Sequence, residues 1–292
     1  MKIVENRKKF FALSLIVIFI GFVTMIYNVQ AGRGAFQYDV EFTGGTSFDL
    51  DLGETYDTEA LRDIITEVTG QNSPQIQQVL GTTEVTVKMQ SIDGTMREAL
   101  MQAITAAYPQ AVMGEINDVS ATVSREMQAA AIKATLIAAA AMLIYISLRF
   151  RDVRAGSSAI LALMHDVLVV LAAYAIFRIP VNNTFIVVLL TILGYSINAT
   201  IVIFDRVREN KELFEPNQAA EKINKSISQT LARSINTSLT TLFAVGAIYV
   251  LGVPALQEFA LPMMIGVIAG AYSSVFLSGS IWYLLLPKSE KV

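Results

Sequence analysis

Six stretches of this chain run apolar for about twenty positions each, at about 10 to 29, 129 to 148, 157 to 177, 184 to 204, 234 to 252 and 260 to 286. At about 1.5 Å of rise per residue, twenty residues cross the roughly 30 Å hydrocarbon core, where a helix satisfies its own backbone polar groups. This pattern excludes a soluble single-core globule and predicts an α-helical membrane protein with six transmembrane helices. The first stretch follows Arg7, Lys8 and Lys9 and ends near Val29-Gln30-Ala31, which loosely imitates a signal-peptide cleavage site. Its apolar run is too long for a signal peptide, so we read residues 1–29 as a cytoplasmic N-terminus and an uncleaved anchor helix.

Charge is segregated along the chain. Residues 30–126 hold fifteen Asp or Glu against five Lys or Arg, whereas the membrane portion is net positive. Arg149, Arg151 and Arg154 fall between the second and third stretches, and Arg206, Arg208, Lys211, Lys222, Lys225 and Arg233 between the fourth and fifth. Lys288 and Lys291 follow the last, and the opposite short loops hold only Arg178. By the positive-inside rule both termini are cytoplasmic, residues 30–126 lie outside, and 149–156 and 205–233 are cytoplasmic loops of the five-helix portion 127–292. Within 205–233, Ala220, Ile223, Ile227 and Leu231 recur at helical spacing, which predicts a short amphipathic helix on the membrane surface.

The outer segment has the periodicities of a small α+β domain. Ser47–Leu52 alternates polar and apolar residues as a half-buried strand does. Asp57 can cap a helix carrying Leu61, Ile64, Ile65 and Val68, with Gly70 as its stop. Strands at about 75 to 80 and 83 to 90, a helix at about 94 to 107 and a strand near 111 to 117 complete a βαββαβ series, the ferredoxin-like order. The acidic balance of this domain argues against nucleic acid as a partner. Gly44-Gly45, with no helix directly after it, reads as a turn or bulge rather than a phosphate loop.

No GxxxxGK[ST], HExxH, GxSxG or spaced Cys/His pattern occurs, cysteine is absent and His165 is the single histidine. The hardware of nucleotide hydrolysis, zinc chemistry and serine catalysis is missing from the sequence, so we expect neither an enzyme nor a bound metal or cofactor. The informative residues are ionisable groups inside apolar stretches, because each costs roughly 2.5 to 3.5 kcal/mol to insert. His165-Asp166 lies about 14 Å along the third stretch from its cytoplasmic edge, near mid-bilayer. Its apolar flanks offer no local partner, so one must come from another helix. Arg233, at the start of a fifth stretch that also carries Ser234, Asn236, Thr237, Ser238, Thr240 and Thr241, is the candidate cation. Such hydroxyls and amides either bond across helices or line a proton path. Gly266, Gly270 and Ser274, spaced by four, predict a close helix-packing stripe in the sixth stretch. Glu258 reads as a solvated interfacial charge.

EFTGGTSFDL after the first stretch, ALMHDVL in the third, GYSINATIVIFDRVREN in the fourth and RSINTSLTTL in the fifth together resemble the SecF-like subunits of the SecD/SecF protein-export family. The resemblance runs over nearly the whole chain, with the motifs in order. It implies a six-helix half of a transporter similar to the RND superfamily, with SecD supplying the other half. The implied activity is proton-gradient-dependent export of a translocating polypeptide with a SecY-type Sec channel, alongside membrane lipid and a YidC-like insertase.

Carried over by position, the resemblance marks Asp166, His165, Asn198, Thr200, Arg233 and Asn236 as proton-pathway candidates. One position departs from it: the family pattern reads GYSINDT, its acid a proposed proton carrier, and this chain has Ala199. Two other readings therefore stand beside a proton-driven subunit, namely a non-conducting scaffold of the same complex and half of an RND-type small-molecule exporter.

Overall fold

The computed structural model describes residues 1–71, 74–78, 82–215, 217–252 and 254–290. Among the described residues, six helices are long and apolar enough to cross a membrane: Arg7–Gln30, Ala121–Phe150, Val153–Phe177, Asn183–Leu213, Ala219–Leu251 and Leu256–Leu285. They correspond one to one with the six apolar stretches, and we number them in that order. The chain divides into two compact units, one of Met1–Gln37, Lys133–Pro180 and Thr184–Val292, the other of Tyr38–Ile132 and Val181–Asn183.

In the smaller unit, strands Gly45–Asp51, Gln75–Gln78, Glu84–Met89 and Val112–Val119 form an antiparallel sheet. Its spatial order runs from Gln75–Gln78 through Glu84–Met89 and Gly45–Asp51 to Val112–Val119. With helices Thr58–Thr69 and Gly94–Ala107 as crossovers, this is the ferredoxin-like arrangement. Residues 79–80 of the expected second strand lie outside the described residues, as does Lys291. The apolar residues of the alternating strands, Phe48, Leu50, Val85 and Val87, pack against Leu61 and Ile65 of one helix and Leu100 and Ile104 of the other. Both helices start on a side-chain cap. Asp57 accepts from Glu59 N at 3.0 Å and Asp93 from Met96 N at 2.8 Å. Gly70 ends the first with φ 68°.

The glycine pair of EFTGGTS has a steric origin. Gly44 has φ 79°, and a Cβ there would lie 3.1 Å from Ala121 N. At Gly45, the first residue of the strand, φ is 149° and a Cβ would collide with Met89 O, so a side chain does not fit there. A four-residue helix not foreseen in the sequence, Val40–Thr43, precedes the pair, capped by Asp39. The Asp39 carboxylate also takes Lys88 Nζ at 2.6 Å, and both side chains are largely buried.

In the larger unit the third, fourth and sixth helices are the most buried, while the first, second and fifth lie at the periphery. Peripheral residues such as Leu15, Phe19, Phe22, Leu136, Leu148 and Phe243 are exposed, as a lipid-facing surface requires. Two expectations are corrected here. The stretch 205–233 is not a loop: the fourth helix and a 3₁₀ turn, Asn210–Leu213, reach 213, and the fifth helix begins at Ala219. The two arms are tied where Arg206 Nε and Asn210 Nδ2 both donate to Gln229 Oε1, at 2.9 and 2.8 Å. The apolar stripe of Ile223 and Ile227 does not lie on a membrane surface either. It is buried in a core cluster that includes Ile3 and Val4 of the amino-terminal segment, and a Cβ on Gly279 of the sixth helix would lie 2.9 Å from Ile223 and 3.3 Å from Ile227. Asn224 fixes that segment: its Oδ1 accepts from Ile3 N and Val4 N at 2.9 and 3.1 Å, and its Nδ2 donates to the Glu5 carboxylate at 2.8 Å.

Candidate functional site

Asp166 is completely buried in the third helix. Burying a carboxyl group is tolerable only with hydrogen-bond partners, and the neighbouring helices supply them. Its Oδ2 accepts from Ser196 Oγ of the fourth helix at 2.6 Å and from Ser273 Oγ of the sixth at 2.8 Å. Its Oδ1 lies 3.0 Å from His165 Nδ1. Two partners thus come from other helices, as hydroxyls and not as the expected cation, and a third, His165, is local, although the apolar flanks suggested no local partner. Arg233 lies on the exposed face of the fifth helix and forms no ion pair with Asp166.

The small-residue stripe builds this site. A Cβ on Gly266 would collide with Ile192, and one on Gly270 would lie 2.9 Å from Ser196 Cβ. Ser274 meets Thr200 at 2.9 Å between hydroxyls. The fourth and sixth helices are therefore matched at 192/266, 196/270 and 200/274, running in the same direction and advancing by four residues on each. Close approach at Gly270 is what brings Ser196 and Ser273 to one carboxylate.

Immediately after the second glycine the helix widens into a π turn, Ser273–Ser278, with Ser273, Ser274 and Ser278 buried. Such turns recur at functional sites. Here, adjacent serines serve different partners. Ser273 faces Asp166, and Ser274 Oγ donates to Ser196 O at 3.2 Å. A hydroxyl has one proton, so Thr200 is the donor in the Thr200–Ser274 contact.

Ser273 has two acceptors within reach, Asp166 Oδ2 and Gly270 O, the latter at 3.3 Å. With Asp166 ionised, Ser273 donates to the carboxylate. With Asp166 protonated, the acid donates to Ser273 Oγ and the serine hydrogen turns to the Gly270 carbonyl. Both states are satisfied with the heavy atoms in place.

The six pathway candidates therefore separate. Asp166, His165 and Thr200 belong to the interior cluster, whereas Asn198, Arg233 and Asn236 are exposed on the fourth and fifth helices. Ala199 is half-buried beside Asn198. Tyr195 OH reaches Ser238 Oγ at 3.4 Å and links these two helices. Sequence reasoning missed Ser273 and assigned Ser274 to packing alone. The available signal was four serines, at 273, 274, 278 and 280, within eight residues of an apolar span. Among the described residues no group of three His, Asp or Glu side chains is placed to hold a metal ion.

In the smaller unit, Asp118 Oδ1 accepts from Thr46 Oγ1 at 2.6 Å and Oδ2 pairs with Arg97 at 2.6 Å. The Thr46 hydrogen bond, with Arg97 beside it, holds the Asp118 carboxyl below the usual carboxylate range despite partial burial.

Residues 95–288 match the family described as protein export membrane protein SecD/SecF, C-terminal. Protein translocase subunit SecF of Sebaldella termitidis is 32% identical over 301 residues, with 100% of this chain and 95% of that protein covered. The SecF of Alicyclobacillus acidocaldarius is 33% identical over 297 residues, covering 99% and 94%. The crystal structure of SecDF from Thermus thermophilus, described as a translocon-associated membrane protein, is similar with a TM-score of 0.84 and 31% identity. That match takes in 96% of this chain, which spans only 38% of the longer SecDF chain. With six membrane helices, a ferredoxin-like unit and full-length SecF relatives, the chain belongs to the SecD/SecF family of protein-export membrane proteins, as a SecF-type member.

Proposed function

We propose that this chain is the SecF-type membrane subunit of a protein translocase, that it acts with a separate SecD-like subunit to promote polypeptide export across the cytoplasmic membrane, and that Asp166 is the group through which a proton gradient acts on it. The observation that carries this reading is the two-way hydroxyl of Ser273. A buried carboxyl with a stable hydrogen-bond pattern in either protonation state is what a reversible proton site needs. One charge moved across 100 mV is worth about 2.3 kcal/mol, enough to shift a two-state equilibrium roughly fiftyfold.

The SecD-like partner is supported by the similarity to a SecDF chain and by polar residues that lipid would disfavour. Asn198 and Asn236 are exposed within apolar stretches, with Arg233 exposed one turn before Asn236, and a second subunit covering them removes that cost. The basic helix connections support cytoplasmic termini. Residues 30–126 then face the outside, where a polypeptide leaves a SecY-type channel with a YidC-like insertase as a further neighbour.

Ala199 favours a second reading, a scaffold that assembles with the same partners and moves no ion. One experiment decides between the two. Proteoliposomes holding this chain, a SecD-like subunit and the channel are assayed for export with and without a proton gradient, comparing Asp166→Asn and Ala199→Asp. Loss of gradient dependence in Asp166→Asn supports the proton site. Unchanged gradient dependence in both variants supports the scaffold.

A further inference from the structure

A groove of about 360 Å³ opens between the first, third and sixth helices, and His165 is the member of the buried carboxyl's hydrogen-bond cluster that lines it. Leu13 and Val17 of the first helix form one wall, Ile268 and Ala269 of the sixth another, and His165 of the third the floor. Its volume is that of a ligand site, and its lining is almost wholly apolar. Leu13 and Ile268 are about half exposed. The groove therefore opens onto the same kind of apolar surface that the peripheral helices present to lipid.

Three features favour an occupant that is apolar along its length and anionic at one end. Lys9, Leu13 and Val17 recur every four residues, so they stand one above another on the first helix. Lys9 is exposed and lies about 6 Å along the axis from Leu13, at the end where the apolar stretch begins. Arg7, by contrast, is engaged: its Nη1 donates to Val4 O at 2.8 Å and its guanidinium covers the Tyr283 ring at 5.4 Å. The first and sixth helices are tied together near that end. Tyr272 OH donates to Phe10 O at 2.9 Å, and Phe10 stacks on Phe276 with centroids 4.4 Å apart. A chain inside the groove therefore enters sideways from the bilayer, with its head beside Lys9.

We propose that this groove holds an acyl chain of an anionic phospholipid whose phosphate is bound by Lys9. The apolar part then lies on the His165 imidazole, whose Nδ1 is in contact with Asp166. Lipid occupancy separates this imidazole from water, and one side chain separates the lipid from the carboxyl group. The site is independent of the export reading: it concerns what the chain binds, whichever subunits accompany it.

The test uses the full chain in nanodiscs. Phosphatidylglycerol carrying a diazirine on its acyl chain is compared with phosphatidylcholine carrying the same probe, and the labelled residues are read by mass spectrometry. The expected result is labelling around Leu13, Val17 and Ile268 that is roughly fivefold stronger for phosphatidylglycerol, as one lysine near the surface confers. Labelling at Phe22 and Phe243 should be equal for the two lipids. Lys9→Gln, an exposed substitution that leaves the bundle intact, should bring the groove to parity. Equal groove labelling by both lipids, no groove labelling, or a phosphatidylglycerol preference that survives Lys9→Gln would each overturn the proposal. So would loss of groove labelling once a SecD-like subunit is bound, since a protein helix would then be the occupant.

Discussion

Gly270 and Ser196 meet so closely that a single added carbon on the glycine would lie 2.9 Å from the serine Cβ, and the same serine holds Asp166 through a 2.6 Å hydrogen bond. Helix packing and the buried carboxyl are thus coupled at one contact. Gly270→Ala must push the fourth helix away or turn Ser196, and overpacking of this kind costs about 1–3 kcal/mol. Thermal unfolding of the purified protein should show the loss. Gly246→Ala is the control: a Cβ there meets only Met264 Sδ, at an ordinary 3.8 Å, so no loss is expected and the midpoint should hold or rise slightly, as Ala favours a helix interior over Gly.

Removing the Ser273 hydroxyl leaves Asp166 Oδ2 with Ser196 alone. Such a hydrogen bond contributes about 0.5–1.5 kcal/mol with a neutral partner and about 1.5–3 kcal/mol with a charged one, so Ser273→Ala should destabilise by about 0.5–3 kcal/mol. The cost should shrink in an Asp166→Leu background, where the hydroxyl has no carboxylate to serve. A double-mutant cycle measured by unfolding reads the difference, expected at about 0.5 kcal/mol or more. Additive effects would mean that the contact contributes nothing.

Lys88 and Asp39 form the most buried lysine ion pair described, with side-chain exposures of 13% and 6%. Lys88→Met leaves the Asp39 carboxylate with only its helix-capping bond to Val40 N, at 2.6 Å. Breaking a buried pair from one side costs about 3–5 kcal/mol. Hydrogen exchange in strand Glu84–Met89 should accelerate accordingly, while exchange in the membrane helices stays as it was.

Asp118 gives a pH dependence of defined sign. Its folded carboxyl titrates lower than an unfolded aspartate, at about 3.9, because Thr46 and Arg97 favour the ionised form. The stabilisation is therefore complete above the unfolded value and is lost as pH falls through the folded one. The side chain is half exposed, so the effect is small. Comparing Asp118→Asn with the parent at each pH should show protection of strand Val112–Val119 lower in the variant near neutrality. The two should converge once the pH has fallen below the folded carboxyl's own lowered value. A difference that grew on acidification would reverse the assignment.

The membrane helices and the sheet could be read from the sequence because each follows from a one-dimensional pattern. Six apolar runs match a bilayer thickness, and alternation at Phe48, Leu50, Val85 and Val87 selects one sheet face. The cost of burying Asp166 marked it as important, and the serine cluster at 273–280 was visible, but nothing in the sequence joined the two. Serine is small enough to read as packing, and nothing along the sequence signals that the sixth helix widens at Ser273. The stripe of Ile223 and Ile227 was misassigned for a related reason. Helical periodicity identifies an apolar face without saying whether lipid or protein covers it, and here it is protein, with Gly279 of the sixth helix close against both isoleucines.

The hold of Asn224 on Ile3 and Val4 bears on how the protein is handled. Flexible leader residues are commonly trimmed when a membrane protein is prepared, but removing residues 1–5 here would excise two side chains from the interior and leave the Asn224 amide buried without its backbone donors. A shortened version would be a mutant of the helix bundle, and loss of activity in it would report damaged packing before anything about export.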